Sequence, residues 1–308
     1  MIKRTIIFLL LCLCNLGMVS CGLFVQELPN GKVPSSHSYD HFVEIKGINY
    51  HYTEYPGSGQ PILLLHGFAS STYTWEKVAP LLQAKGYHVW ALDMKGFGWS
   101  DKPKKSVYAP QELMEEVNEW MNVMGLEKVV FVGNSLGGAI AWNMALDHPD
   151  KVSRLVLIDA AGFMHKMPFP VRLAGLPGAA AISKLFFGRW MIRDILKQVY
   201  YDPSRITEIQ VDAHYNRMRT ENALFAVTAL GQSLDELASE KYSERIPEVQ
   251  LKTLIIWGRE DSWIPVENGR KFEKALPNAT LKIIPGCGHI PQEERPEETA
   301  QLILDFLQ

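Results

Sequence analysis

The chain lacks the features that commit a protein to several common chemistries. It has four cysteines in 308 residues: Cys12, Cys14, Cys21 and Cys287. It has no run of lysines or arginines, and its formal net charge is −3. That balance argues against a nucleic-acid partner. No cluster of Cys, His and carboxylates shows metal-ligand spacing, so no metal is implied. The glycine-rich stretch 93–100 lacks the glycine spacing and following helix of a dinucleotide fingerprint, and no other cofactor is implied. There is no internal repeat and no low-complexity segment. What remains is a chain that is 47% hydrophobic, enough for one large core.

Residues 1–21 are a different material. Lys3 and Arg4 form a short basic start, an apolar run covers 5–13, and Asn15 and Gly17 break it. The run is short for a membrane span and fits an export signal. It ends in Met18, Val19, Ser20, Cys21 and Gly22. An aliphatic residue, a small one and then cysteine resembles the bacterial lipobox. The resemblance implies cleavage before Cys21, lipidation of that residue, and a protein held to a membrane of the cell envelope. An ordinary cleaved signal and an uncleaved anchor are the alternatives. Cleavage and acylation together would leave Cys287 as the one free thiol, with no internal disulfide. Residues 22–40 carry Pro29, Asn30, Gly31, Pro34, Ser35 and Ser36 and read as a tether. His37 and His41 have no partner pattern there and read as solvated.

From residue 41 the pattern changes. Residues 42–45 and 48–52 alternate around Gly47 and predict an antiparallel hairpin at a sheet edge. Apolar runs at 61–65, 88–92, 128–132, 152–158, 253–257 and 281–284 predict buried strands. Helices are predicted at 75–85, 110–124, 139–146, 268–275 and 296–306. The second has Pro110 near its start, one apolar face, and Gly125 at its end. Strand and helix alternate, which predicts an α/β fold: a mostly parallel sheet of eight strands with helices on both faces. Such sheets carry their sites at the carboxyl ends of strands. His66, Asp93, Ser135 and Asp159 each directly follow a predicted strand and should lie along one edge. Residues 160–252 far exceed the roughly 30 of a whole βαβ unit. The surplus, about 163–240, reads as a helical lid inserted after strand six. Its aromatics, Phe169, Phe186, Phe187, Trp190, Tyr200, Tyr201 and Phe225, would either line an acyl or aromatic pocket or pack the lid onto the body.

The stretch Gly133, Asn134, Ser135, Leu136, Gly137 joins a predicted strand to a predicted helix. A Gly-x-Ser-x-Gly in that context is the nucleophile elbow. The turn is too sharp for side chains beside the serine, and Gly133 and Gly137 carry no Cβ. The alternative is a tight turn with Ser135 as a helix N-cap. A hydroxyl needs a base, and the base needs an orienting acid.

His66-Gly67-Phe68, the elbow at Ser135, Asp261 after the seventh predicted strand and His289 after the eighth complete a pattern. Together they resemble an α/β-hydrolase of the lidded serine esterase type, from about residue 42 to the end. Serine, acid, histidine is that family's order. The resemblance implies Ser135 as nucleophile, His289 as base and Asp261 as orienting acid. It implies an oxyanion hole from the backbone N–H groups of Phe68 and Leu136. Asp159 is a rival for the acid. His66 reads as structural, with a second base as the other reading. The substrate implied is a small-molecule ester or acyl compound.

Two departures bear on the substrate. Serine at the elbow disfavours haloalkane dehalogenases and epoxide hydrolases, whose relatives carry aspartate there. Asn134 resembles the carbon–carbon hydrolases that cleave ring-fission products, but those usually have tryptophan after the histidine, where this chain has Ile290. Ester hydrolysis is therefore the expectation, with carbon–carbon cleavage as the alternative. A binding protein on a retired scaffold is the non-enzymatic alternative, and a complete triad speaks against it.

Overall fold

The computed structural model describes residues 27–30, 38–163, 167–234 and 243–308. The leader and Cys21 lie outside these residues. Eight strands form one sheet: β1 (Asp40–Ile45), β2 (Ile48–Tyr55), β3 (Pro61–Leu65), β4 (His88–Leu92), β5 (Val129–Asn134), β6 (Val152–Ile158), β7 (Thr253–Gly258) and β8 (Ala279–Ile284). Their order is β1-β2-β4-β3-β5-β6-β7-β8. β1 and β2 pair antiparallel at one edge, β2 runs antiparallel to β4, and every pairing from β4 to β8 is parallel. This is the eight-stranded, mostly parallel sheet that the sequence predicts.

Central strands have no polar face. Ile62, Leu63, Leu64 and Leu65 of β3 are fully buried, as are Val129, Val130, Phe131 and Val132 of β5. Helices therefore cover both sides, as parallel strands require. α1 (Ala79–Gln83) and α2 (Pro110–Val123) precede the elbow, and α3 (Leu136–Asp147) follows it. The predicted helix at 75–85 is shorter: a 3-10 turn at Thr72–Trp75 precedes α1. α2 begins at Pro110 after the extended Ala109, and Gly125 closes it at φ +68°.

Between β6 and β7 lie five described helices: α4 (Phe169–Ala174), α5 (Ala179–Phe186), α6 (Arg189–Val199), α7 (Glu208–Met218) and α8 (Ala223–Gly231). α7 starts with a capping box in which Thr207 and Gln210 satisfy one another's backbone. α9 (Glu267–Ala275), α10 (Pro291–Glu294) and α11 (Pro296–Leu307) complete the chain. α10 is absent from the sequence reading. It is a single turn that buries Glu293 and Glu294, and no periodicity announces so short an element.

Within 22–40, residues 27–30 lie against the body. Glu27 Oε1 meets Lys184 Nζ of α5 at 2.6 Å. Leu28 N–H donates to the Arg219 carbonyl, and Glu221 N–H donates to the Leu28 carbonyl. Asn30 Nδ2 donates to the Glu221 carbonyl at 3.2 Å.

Candidate active site

Parallel pairing aligns the strand ends. Asn134 at the end of β5 pairs with Ile158 at the end of β6, and Gly258 of β7 pairs with Ile284 of β8. Ser135, Asp159, Asp261 and His289 each leave the sheet on this one edge. Ser135 sits at φ +54°, ψ −115°, a conformation that side chains rarely adopt. Its neighbours make that turn possible. A Cβ on Gly133 would fall 2.2 Å from the Gly137 carbonyl oxygen, and one on Gly137 would fall 2.4 Å from that of Leu65. Ser135 occupies the N-cap position of α3, but its side chain makes no capping bond. The turn and the N-cap position are those of the alternative reading, but the hydroxyl makes no bond to the helix.

His289 and Asp261 come together from loops 28 residues apart. Nδ1 of His289 lies 2.7 Å from Oδ2 of Asp261, with both side chains buried. The other oxygen of Asp261 accepts from the N–H groups of Trp263 and Ile264 at 2.7 and 3.0 Å. The acid is thus fixed by its own loop and presents one oxygen to the imidazole. The Trp263 ring lies 5.5 Å from the His289 ring. The backbone of His289 is held as well: its N–H donates to the Val199 carbonyl at 2.7 Å.

Asp159 also reaches this cluster. It is fully buried at φ +44°, and ionisable atoms of Asp159, Asp261 and His289 all lie within 4.8 Å of one another. Spacing along the chain gives no sign of this grouping. His289 turns Nδ1 toward Asp261, and the Asp159 carboxyl stands beside that pair. Burial, and then the neighbouring Asp261, push the Asp159 carboxyl well above the usual carboxylate range. Gly258 N–H donates to its Oδ1 at 3.0 Å.

His66 is fully buried. Its Nδ1 donates to the Gly67 carbonyl at 2.8 Å, and its Nε2 accepts from Met94 N–H at 3.1 Å. Both nitrogens are used on backbone, and burial lowers its affinity for a proton. This ring shapes the loop that carries Phe68 and is not placed as a second base. Asp93 is likewise an internal acceptor, taking Thr72 N–H, Trp99 N–H and His51 Nδ1 at 2.6, 2.8 and 2.7 Å.

Ser135 and His289 open onto a cavity of about 410 Å³. α4, α6, α7 and α8 supply most of its wall, including Val171, Leu173, Ile192, Leu196, Met218 and Val227. Of the aromatics singled out in the sequence, Phe169, Phe187 and Trp190 line it. Phe186 and Tyr201 are exposed, Phe225 packs on Tyr108, and Tyr200 is buried with its hydroxyl against Glu293. Phe68 and Leu136 line a second, smaller pocket with Ser135 and His289.

Three more side chains shape this region; Trp263 and Glu294 are silent in the sequence, and Asn134 is noted there only as a mark of resemblance, not for its bonds. Trp263 stands beside the imidazole. Glu294 accepts the N–H groups of Tyr201, Asp202 and Gly288 at 3.1, 2.8 and 2.7 Å, tying the end of α6 to the His289 loop. Asn134 donates to the carbonyls of Ile158 and His289.

Residues 60–296 match the family described as alpha/beta hydrolase fold. The chain is similar to a 2-hydroxy-6-oxononadienedioate/2-hydroxy-6-oxononatrienedioate hydrolase of Comamonas testosteroni, with 31% identity over 82% of this chain and 88% of the relative. A solved meta-cleavage product hydrolase from Pseudomonas fluorescens superposes at TM-score 0.76 and 27% identity, covering 87% of this chain and 97% of that one. A solved membrane phospholipase A, described as a bacterial virulence factor, superposes at TM-score 0.72 and 29% identity, covering 87% and 85%.

Proposed function

We propose that this chain, which belongs to the α/β-hydrolase family, is a serine hydrolase that cleaves carboxylic esters with an apolar acyl group. The wall of the cavity is the observation that carries this reading. Its lining is predominantly aliphatic and aromatic, with Ser70, Ser183, Gln198 and Thr228 among the uncharged polar residues. The ionisable side chains in it are Asp194, Glu293, His214 and His289, and no lysine or arginine is among the described lining residues. An apolar acyl chain fits such a wall.

In this reading His289 takes the proton from Ser135 as its oxygen attacks the ester carbonyl. The tetrahedral oxyanion turns toward the N–H groups of Phe68 and Leu136. One such donor is worth roughly 3–4 kcal/mol in the barrier. Collapse breaks the bond to the alcohol, which leaves with the proton from His289. Water, deprotonated by the same imidazole, then releases the acid and restores Ser135. Asp261 keeps Nδ1 protonated and offsets the imidazolium charge.

The names of the relatives favour a second reading, carbon–carbon hydrolysis of a ring-fission product. Asn134 before the serine agrees with it. A substrate of that kind carries a carboxylate. Burying that charge without a cationic partner costs several kcal/mol, and the described wall offers none. Hydrolysis of p-nitrophenyl esters of graded chain length, run beside a ring-fission dienoate, separates the two. Medium or long acyl esters should be turned over faster than the dienoate. Turnover of the dienoate at a higher kcat/KM than every ester would establish the second reading instead.

We also propose that Cys21 is lipidated and holds the enzyme in the cell envelope. The sequence around Cys21 supports this. Wild-type protein made in a bacterium should partition into detergent, and Cys21→Ser should lack the lipid mass. A mature N-terminus other than modified Cys21 would refute the anchor and leave the chemistry untouched.

A further inference from the structure

We propose that Asp159 bears a hydrogen on Oδ2 and donates it to Asp261, acting as a positioning residue for the acid–base pair. This rests on the roles given above to Ser135, His289 and Asp261.

A carboxylate oxygen of Asp159 lies within 4.8 Å of one of Asp261. Asp159 is 0% exposed and Asp261 6%. Neither oxygen set contains a donor unless one group is protonated, and two buried carboxylates side by side repel. The surrounding donors decide which group keeps the charge. Asp261 accepts from Trp263 N–H, Ile264 N–H and His289 Nδ1. Asp159 accepts from Gly258 N–H alone, and only through Oδ1. Its Oδ2 is buried with no donor among the described residues. The anion belongs where the donors are, which is Asp261. With the hydrogen on Asp159, the orphaned oxygen becomes a donor and the contact is satisfied.

The other ionisable groups nearby do not alter this. Glu294, reaching in from α10, adds negative charge and favours the protonated form. The Cys287 thiol, on the same side, is pushed up by its burial and stays neutral. The upward shift of Asp159 described above agrees with the geometry.

The local backbone adds a second sign of purpose. Asp159 is held at φ +44° while its N–H donates to the Ile256 carbonyl at 3.0 Å. Strained conformations persist where the surroundings over-determine them. Here they aim a neutral donor at the rear of the Asp261 carboxylate. That donor spreads the charge of Asp261 and fixes its plane toward Nδ1 of His289.

Two measurements on the full chain test this. In infrared spectra at pH 7, wild type minus Asp159→Asn should show the carbonyl band of a protonated carboxyl group. Labelling of Ser135 by a fluorophosphonate, followed against pH, needs no ester substrate. Its midpoint should be unchanged in Asp159→Asn, which keeps a donor toward Asp261 and an acceptor for Gly258. It should move to higher pH in Asp159→Ala, where Asp261 loses a donor and holds the imidazolium more tightly. Absence of the band, or a midpoint moved to lower pH in Asp159→Asn, would show an ionised Asp159 and overturn the proposal. Should the alanine variant not fold, the asparagine variant and the spectrum still decide. Failure of wild type to label would sink the serine mechanism and leave the infrared result standing.

Discussion

The side-chain amide of Asn134 donates to the backbone carbonyl of His289 at 3.1 Å, across 155 residues of sequence. The residue before the proposed nucleophile thus holds the main chain of the proposed base. The same Nδ2 donates to the Ile158 carbonyl, also at 3.1 Å. Asn134→Ala would leave the His289 carbonyl without this donor, while the Ile158 carbonyl keeps Ser135 N–H at 3.0 Å. Leaving that one buried acceptor unpaired costs about 1–3 kcal/mol, so the urea midpoint should fall measurably. Activity should fall at least about tenfold, because the His289 loop is released. A variant with an unchanged midpoint would show that the bridge carries no weight.

Ser135→Ala and His289→Ala should each abolish hydrolysis by a similar factor, since a nucleophile and its base act as one unit. Asp261→Asn should cost on the order of 10³–10⁴-fold, because the imidazole loses its orienting anion. Circular dichroism should show all three folded. Activity within tenfold of wild type in any of them would displace that residue from its role.

Gly137→Ala probes the elbow itself. The added Cβ meets the Leu65 carbonyl oxygen at 2.4 Å, and backbone cannot move aside as a side-chain tip can. Destabilisation should reach or exceed the ~1–3 kcal/mol typical of overpacking, seen as a lower melting temperature. Retention of wild-type melting would mean that the strand–helix crossing opens more easily than its geometry indicates.

His51 gives a pH dependence. Burial lowers its proton affinity, but Asp93 and Asp40 outweigh that and the net shift is upward. A raised histidine binds its proton more tightly when folded, so its contribution is complete below about pH 6.5 and is lost as pH rises through the folded value. Urea unfolding should therefore show stability declining from pH 6 toward pH 9. His51→Gln should be less stable at pH 6 and should lose this part of the decline. An equal decline in both proteins would remove His51 as its source.

The strands were legible because parallel, doubly covered strands read as plain apolar runs, as Pro61–Leu65 and Val152–Ile158 do. The order of Ser135, Asp261 and His289 was legible because each stands just past a strand. Contacts made across the edge were not. Asp159 meets Asp261, and Asn134 meets His289, only because β5, β6, β7 and β8 lie side by side, and chain order does not state adjacency. Glu293 and Glu294 look like ordinary surface charge in sequence. Their burial follows from the turn at Pro291, which points them under α6 and α7, where Tyr200, His214 and three N–H groups receive them.

The first described residues are stitched to α5, to the turn between α7 and α8, and, through Asn30 and Lys102, to the loop after β4. Mechanically, this makes the helical segment between β6 and β7 the main mooring of Glu27, Leu28 and Asn30, so a change in how those helices pack is felt at these residues before it is felt in the sheet.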